Sequence, residues 1–280
     1  MDVKTSHHQL TTREQLPLRL DLRMPGEGRP RAVVVVVHGF KGFKDWGFFP
    51  WVGRRLALDG YASVVFDLSR NGVGEVPGQF DRLDLFEGNT YAAEIADLKQ
   101  VLAWVRAQAP LPAEVREAGL GLLGHSRGAL PCVVAAAEDD GIDALVTWNG
   151  VAKALRYSER QLAEWEEKGR LEFKNARTGQ RMAVGWQLVE DARENAARYD
   201  LPAQARRMGA AHLILHAEKD LAVDVEEAEH LRAGREDRCR KVILPDTGHT
   251  FGAVHPFQGS TPSLEKAMEL TVGWYREFLA

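Results

Sequence analysis

Along this chain, short apolar runs alternate with longer segments in which apolar residues recur every three or four positions. Residues 32–37 are an almost unbroken valine run. A run without polar alternation suits a strand covered on both faces of a parallel sheet. Ala62–Phe66, residues 120–123, Ala144–Trp148, residues 213–215 and residues 241–244 continue the series. Residues 16–22 alternate leucine with proline, arginine and aspartate, which predicts an earlier, half-exposed strand. Between the runs, residues 50–58 read as a helix ended by Gly60. Residues 89–106 carry Ile95, Leu98, Leu102 and Val105 at helical spacing. Residues 127–137 predict a small-residue helix, and residues 263–279 a final one. Strands alternating with helices predict an α/β protein with a mostly parallel, twisted sheet and helices on both faces.

One segment breaks this rhythm. Residues 150–206 contain no buried-strand run. Ser158 followed by Gln161 is a capping-box start for a helix reaching Lys168. Residues 171–182 read as a polar hairpin with Thr178 and Gly179 near its turn, and residues 185–199 as a second helical stretch. So long a stretch is not a plain loop. The expected organisation is a core of residues 1–149 and 207–280 with a helical and hairpin cap inserted at 150–206.

Composition changes this picture little. The chain has 280 residues, 45% hydrophobic and 27% charged, which suits an ordinary globular protein. A net charge of −4, with no basic stretch interleaved with aromatics, excludes nucleic acid as the expected partner. The two cysteines, Cys132 and Cys239, suggest no disulfide framework, and Cys132 reads as a small core residue. The first fifteen residues are polar and unlike a secretory signal, and no apolar run could span a bilayer. The expected setting is the cytoplasm, without membrane insertion. Nothing in the sequence speaks to oligomeric state.

The strongest chemical signal is Gly124-His125-Ser126-Arg127-Gly128, a G-x-S-x-G motif directly after a strand and directly before a helix. A serine at that turn is raised above the sheet's C-terminal edge, and the flanking glycines remove side chains that would clash. The turn also aims free helix N–H groups at the spot where an oxyanion would form. The bland alternative is a serine that merely caps the helix. A decoy overlaps the motif. Gly119, Gly121 and Gly124 fit the dinucleotide fingerprint G-x-G-x-x-G, but here they lie inside a strand, the wrong context for phosphate binding.

A serine hydroxyl needs a base. On a turn of this kind the partners follow in the order serine, acid, histidine. His249, in Asp246-Thr247-Gly248-His249, lies just past the last strand, where functional groups gather in such sheets. His255 is the fallback. His212 and His216 flank a strand, and His230 lies in a charged helix. For the acid, Asp220 sits a few residues past the preceding strand; Glu218, Asp224 and Asp246 are nearby, and Asp224 is placed to cap a helix. One oxyanion donor would be the N–H of Arg127. The second candidate is the N–H of Phe40, in the glycine-flanked His38-Gly39-Phe40-Lys41-Gly42 loop. Trp148, Trp165 and Trp186 are candidates for an apolar substrate pocket, weighed equally against a role in sealing the cap onto the core. Asp67 and Arg70 read as loop ties.

His38-Gly39-Phe40, Asp67 to Gly74, Gly124 to Gly128, Asp220 and Gly248-His249 occur in an order that resembles the α/β-hydrolase superfamily. Within it the chain is similar to the dienelactone-hydrolase and cinnamoyl (feruloyl) esterase-like branch. The resemblance covers nearly the whole chain. It departs at Ala129, where many relatives carry a second glycine, and it is loose across the insertion. It implies a Ser126–His249–Asp220 triad, an oxyanion hole from Phe40 and Arg127, and hydrolysis of small to medium acyl or aromatic carboxylic esters. No metal or organic cofactor is implied. A peptidase, a thioesterase or an acyltransferase would use the same triad, and a ligand receptor of the same fold is the alternative outside catalysis.

Overall fold

The valines of β3 (Val33–Val37) divide between two cores: Val33, Val35 and Val37 pack on one face of a sheet, Val34 and Val36 on the other. Period-two alternation inside a wholly apolar strand places it between two helical layers. The computed structural model describes residues 2–175, 178–232, 234–235 and 237–279. β3 follows an antiparallel pair, β1 (Val3–Thr11) and β2 (Pro17–Pro25). Then come α1 (Phe49–Leu58), β4 (Ala62–Phe66), α2 (Leu83–Glu87), α3 (Tyr91–Ala107), α4 (Ala113–Glu117) and β5 (Leu120–His125). A single 3-10 turn, Ser126–Gly128, leads into α5 (Ala129–Glu138) and β6 (Ala144–Trp148).

After β6 the chain forms α6 (Glu159–Lys168), the hairpin of β7 (Arg170–Lys174) and β8 (Arg181–Gly185), α7 (Gln187–Glu194) and α8 (Leu201–Arg207). It returns with β9 (Ala211–Ala217), α9 (Glu226–Arg232), β10 (Cys239–Leu244) and α10 (Pro262–Phe278). Among the described residues, eight strands form the main sheet in the order β1-β2-β4-β3-β5-β6-β9-β10. From β4 to β10 all neighbours are parallel, and β2 joins β4 antiparallel. Helices α1 and α10 cover one face; α3, α5, α8 and α9 cover the other.

β1 is absent from the expected pattern. Its side chains alternate between half-buried and exposed, and Ser6 and His8 stand at half-buried positions where apolar residues would signal a strand. Full pairing with β2 supplies what the side chains do not. The expected α6 carries the full capping box, with Ser158 and Gln161 bonded reciprocally. The hairpin is also present, although residues 176 and 177, inside its expected span, lie outside the described residues. The stretch expected as one helix over 185–199 is shorter, ending at Glu194.

The decoy glycines have a packing purpose. A Cβ on Gly121 would come within 2.9 Å of both Leu279 and Tyr275, so the missing side chain lets α10 and the residues after it lie against β5. Cys132 is buried, and both cysteines are free. No helix among the described residues is long and apolar enough to cross a membrane.

Candidate active site

β5 runs straight into Ser126, whose φ is +56°. A non-glycine residue in the left-handed region is strained, and strain of this kind persists only where the surroundings hold it. They do so here by close approach. A Cβ on Gly124 would fall 2.7 Å from the Gly128 carbonyl oxygen, and one on Gly128 would fall 2.6 Å from those of Val37 and His38. Gly39 is equally constrained, since a Cβ there would meet the Ser126 Cβ at 2.8 Å. The loop after β3 therefore rests directly on the serine turn.

Three side chains from three strand ends converge. The Ser126 hydroxyl donates to His249 Nε2 at 2.9 Å, and His249 Nδ1–H donates to Asp220 Oδ2 at 2.7 Å. An ionised carboxylate can only accept, which puts the imidazole proton on Nδ1 and leaves Nε2 free to accept from the serine. The other Asp220 oxygen accepts from the N–H groups of Ala222 and Val223. Burial works against ionisation of Asp220, but the hydrogen bond and charge of His249 and these two N–H groups hold its pKa below the ordinary aspartate value. His216 donates to the Val223 carbonyl and closes the back of this loop.

The other candidates lie elsewhere. His255 Nδ1 accepts from Gly47 N–H, and its ring stacks on Trp46. His212 is buried against Thr147, and His230 is exposed. Glu218 accepts from Asp246 N–H, Asp246 pairs with Lys219, and Asp224 accepts from Glu226 N–H at the start of α9. Asp67 and Arg70 are loop ties. Asp67 accepts from Lys44 N–H and Asn71, and Arg70 from the next turn reaches Glu14 and the Gly88 carbonyl.

Two further residues hold His249 from behind, and neither had a sequence signal. Asn149, fully buried with φ +49°, donates to the His249 carbonyl at 2.7 Å and accepts from Ala217 N–H at 2.7 Å. It ties the ends of β6 and β9 to the histidine loop. His125 donates to the same carbonyl at 3.0 Å, and its ring lies 4.9 Å from that of His249. Burial first, and then the charge of His249, lower the His125 pKa to about 3, so it stays neutral. The side chain of Arg127 is also occupied: it pairs with buried Glu94 and lies over the rings of Phe40 and Tyr91. Among the described residues, the backbone N–H of Phe40 makes no hydrogen bond, and the N–H of Arg127 lies in the first turn of a helix, where the helix itself offers no acceptor.

Two cavities meet at Ser126 and His249. One, of about 240 Å³, runs past Phe40, Trp46 and Phe49 to Asn175 of the hairpin. The other, of about 330 Å³, runs past Tyr91, Val151 and Tyr157. A larger space of about 380 Å³ beside β1 and β2 holds no such constellation. Its buried carboxylates are already satisfied, Asp21 by His7, Arg23 and Lys44, and Asp67 by Lys44 N–H and Asn71.

Here the expectation for the tryptophans needs correction. Trp148 is fully buried on the opposite face of the sheet, where its indole donates to Thr271 of α10. Trp165 is fully buried between Tyr157 and Trp186, and Trp186 is covered by Arg193. None of the three lines either cavity at Ser126. Large flat side chains are the cheapest way to fill the space under an added layer, and that use wins here. The aromatic lining comes instead from Phe40, Trp46, Phe49, Tyr91 and Tyr157.

The strand order, the turn after β5 and the convergence of three strand ends have a known architectural counterpart. No protein-family model matches the sequence, and no curated protein matches it. Solved structures do. An α/β hydrolase, GrgF from Penicillium sp. sh18, aligns at TM-score 0.70 over 99% of both chains with 16% identity. The chain has the α/β-hydrolase fold. The esterase domain of a Rhodothermus marinus protein aligns over all of both chains at TM-score 0.67 and 19% identity. A dienelactone hydrolase from Anabaena variabilis ATCC 29413 does so at 0.62 and 17%. At such identities the likeness to these α/β-hydrolases is one of fold.

Proposed function

We propose that the chain is a serine hydrolase of carboxylic esters, with Ser126 as nucleophile, His249 as general base and Asp220 as the group that orients it. The observation that carries this reading is the unbroken hydrogen-bond chain from Ser126 Oγ through His249 to Asp220, at 2.9 and 2.7 Å. Ser126 attacks the ester carbonyl while His249 Nε2 takes its proton; Asp220 stabilises the imidazolium. The N–H groups of Phe40 and Arg127 receive the developing oxyanion. A donor of this type is worth about 10²–10³ in turnover. His249 then protonates the leaving alcohol, and a water activated in the same way releases the acid. The reaction calls on no metal and no organic cofactor.

Residues 150–206 act as a cap over a core of residues 1–149 and 207–280. In support, Phe173 of the hairpin packs on Phe40, and Asn175 lines the first cavity. The aromatic walls favour small to medium acyl or aromatic esters over peptides. The expected partner is a small-molecule ester, and the expected setting is the cytoplasm.

The test is labelling by a fluorophosphonate probe, wild type against Ser126→Ala, with hydrolysis of p-nitrophenyl esters from acetate to decanoate. Labelling and turnover lost together in the variant are the expected result. A wild type that does not label, or a variant that labels equally, overturns the reading and leaves a non-catalytic receptor as the better account.

A further inference from the structure

The two cavities that meet at Ser126 differ in charge. Among the described residues, the first is walled by Phe40, Trp46 and Phe49 with Asn175 and Thr250, and its one charged wall residue is Lys41, at the junction. The second is lined by Lys41, Arg127, Lys153 and Arg156, and among the described residues no carboxylate lines it. Two of these cations are already matched: Arg127 by Glu94, and Arg156 by Glu227 at 3.7 Å. The other two are not. Among the described residues, neither Lys41 nor Lys153 has a carboxylate within ion-pair distance. Lys41 is half-buried, and its ammonium lies 5.6 Å from the Phe40 ring and 5.5 Å from the Phe173 ring. Burial lowers its pKa, the mark of a cation that would gain from a counter-charge. An excess of positive charge in one cleft of a chain with net charge −4 is local, not a general property of the surface.

Resting on the ester-hydrolase reading, we infer that the substrate is two-sided: an apolar or aromatic group on one side of the ester bond, seated in the first cavity, and a carboxylate or phosphate on the other, held in the second by Lys41 and Lys153. The ester carbonyl then lies over Ser126, between the two.

The experiment uses pairs of esters that differ only in charge. 4-Carboxyphenyl butyrate against 4-carbamoylphenyl butyrate places the charge on the leaving group. Mono-4-nitrophenyl adipate against its methyl ester places it on the acyl group. For one pair the wild type should favour the charged ester in kcat/KM by about tenfold, the scale of one charge-assisted contact. That ratio should fall towards one in Lys153→Glu and in Lys41→Gln, and should shrink with added salt. Lys266→Glu, the same charge change on exposed α10, should leave it in place. The pair that responds tells which side of the ester carries the charge. A wild-type ratio of one or less for both pairs, with fluorophosphonate labelling intact, overturns the inference and leaves the hydrolase reading standing. A ratio that survives both lysine variants also overturns it. Loss of labelling in the wild type overturns the hydrolase reading itself, and the inference with it.

Discussion

The turn around Ser126 and the segment between β6 and β9 are built on opposite plans. The turn is held by backbone: glycines that admit no Cβ, a serine at positive φ, and the carbonyls of Val37 and His38 in close approach. Little there can shift without a clash. The intervening segment is held by side chains: Trp165 between Tyr157 and Trp186, and Phe173 on Phe40 and Phe86. Among the described residues, its only sheet is its own two-stranded hairpin. On the proposed reading, chemistry that tolerates little displacement sits on the sheet, while the walls that would choose a substrate come partly from elements whose packing accepts other residues. A site of this kind can change substrate without rebuilding its reactive centre.

That contrast can be broken. The largest effect expected is at the sheet. Asp220→Asn removes the acceptor that fixes the His249 tautomer and should cost about 10⁴ in kcat, with the fold intact by circular dichroism. A loss below tenfold would mean that another group orients His249. In the intervening segment the expected effect is on stability instead. Trp165→Ala empties a fully buried site and should cost about 3–5 kcal/mol in denaturant unfolding, with little change in the acyl-chain profile. Phe173→Ala should do the reverse, altering the ester profile more than the stability. If Trp165→Ala shifts the profile instead, the separation of packing from substrate contact fails.

A smaller effect sharpens the picture of how the sheet holds its histidine. Asn149→Ala leaves His249 with one of its two carbonyl donors. We expect kcat to fall about tenfold to a hundredfold while KM holds, because a displaced base weakens proton transfer more than binding. The rate of fluorophosphonate labelling should fall in parallel. An unchanged kcat would make Asn149 a strand-end tie and nothing more.

The smallest effect concerns pH. Burial lowers the pKa of His38 to about 4 and of His125 and His212 to about 3, and also lowers that of His216. The unfolded chain protonates these histidines near 6.5, whereas the folded chain keeps them neutral. Each folded histidine pKa is depressed, so its share of the stability is full above about 6.5 and drains away as pH falls towards the folded value. Asp97 and Asp67, raised by burial to about 7 and about 6, act in the opposite sense over the same window, so the histidine share is read by difference: between pH 8 and 5 the melting midpoint of His212→Gln should fall less steeply than that of the wild type.

The sequence alone carried the framework of β3, β4, β5, β6, β9 and β10, because short apolar runs bounded by turns and alternating with helices suit a parallel sheet covered on both faces. It also singled out Ser126, Asp220 and His249, since a turn motif, a loop after one strand and a loop after the next are local signals. What it could not carry were relations between distant segments. β1 is a strand because β2 is beside it, and its own side chains say little. Trp148, Trp165 and Trp186 share one sequence signal, a large apolar ring, yet that signal does not reveal which face of which layer each will fill. Asn149 and His125 became supports of His249 only when the ends of β5, β6 and β9 were set side by side. The unmatched charges of Lys41 and Lys153, more than a hundred residues apart, meet only where the loop after β3 faces the start of the segment after β6. Local periodicity and turn chemistry act over a few residues and can be read in order. Pocket walls, buried hydrogen bonds and charge balance are sums over neighbours that only the folded chain assembles.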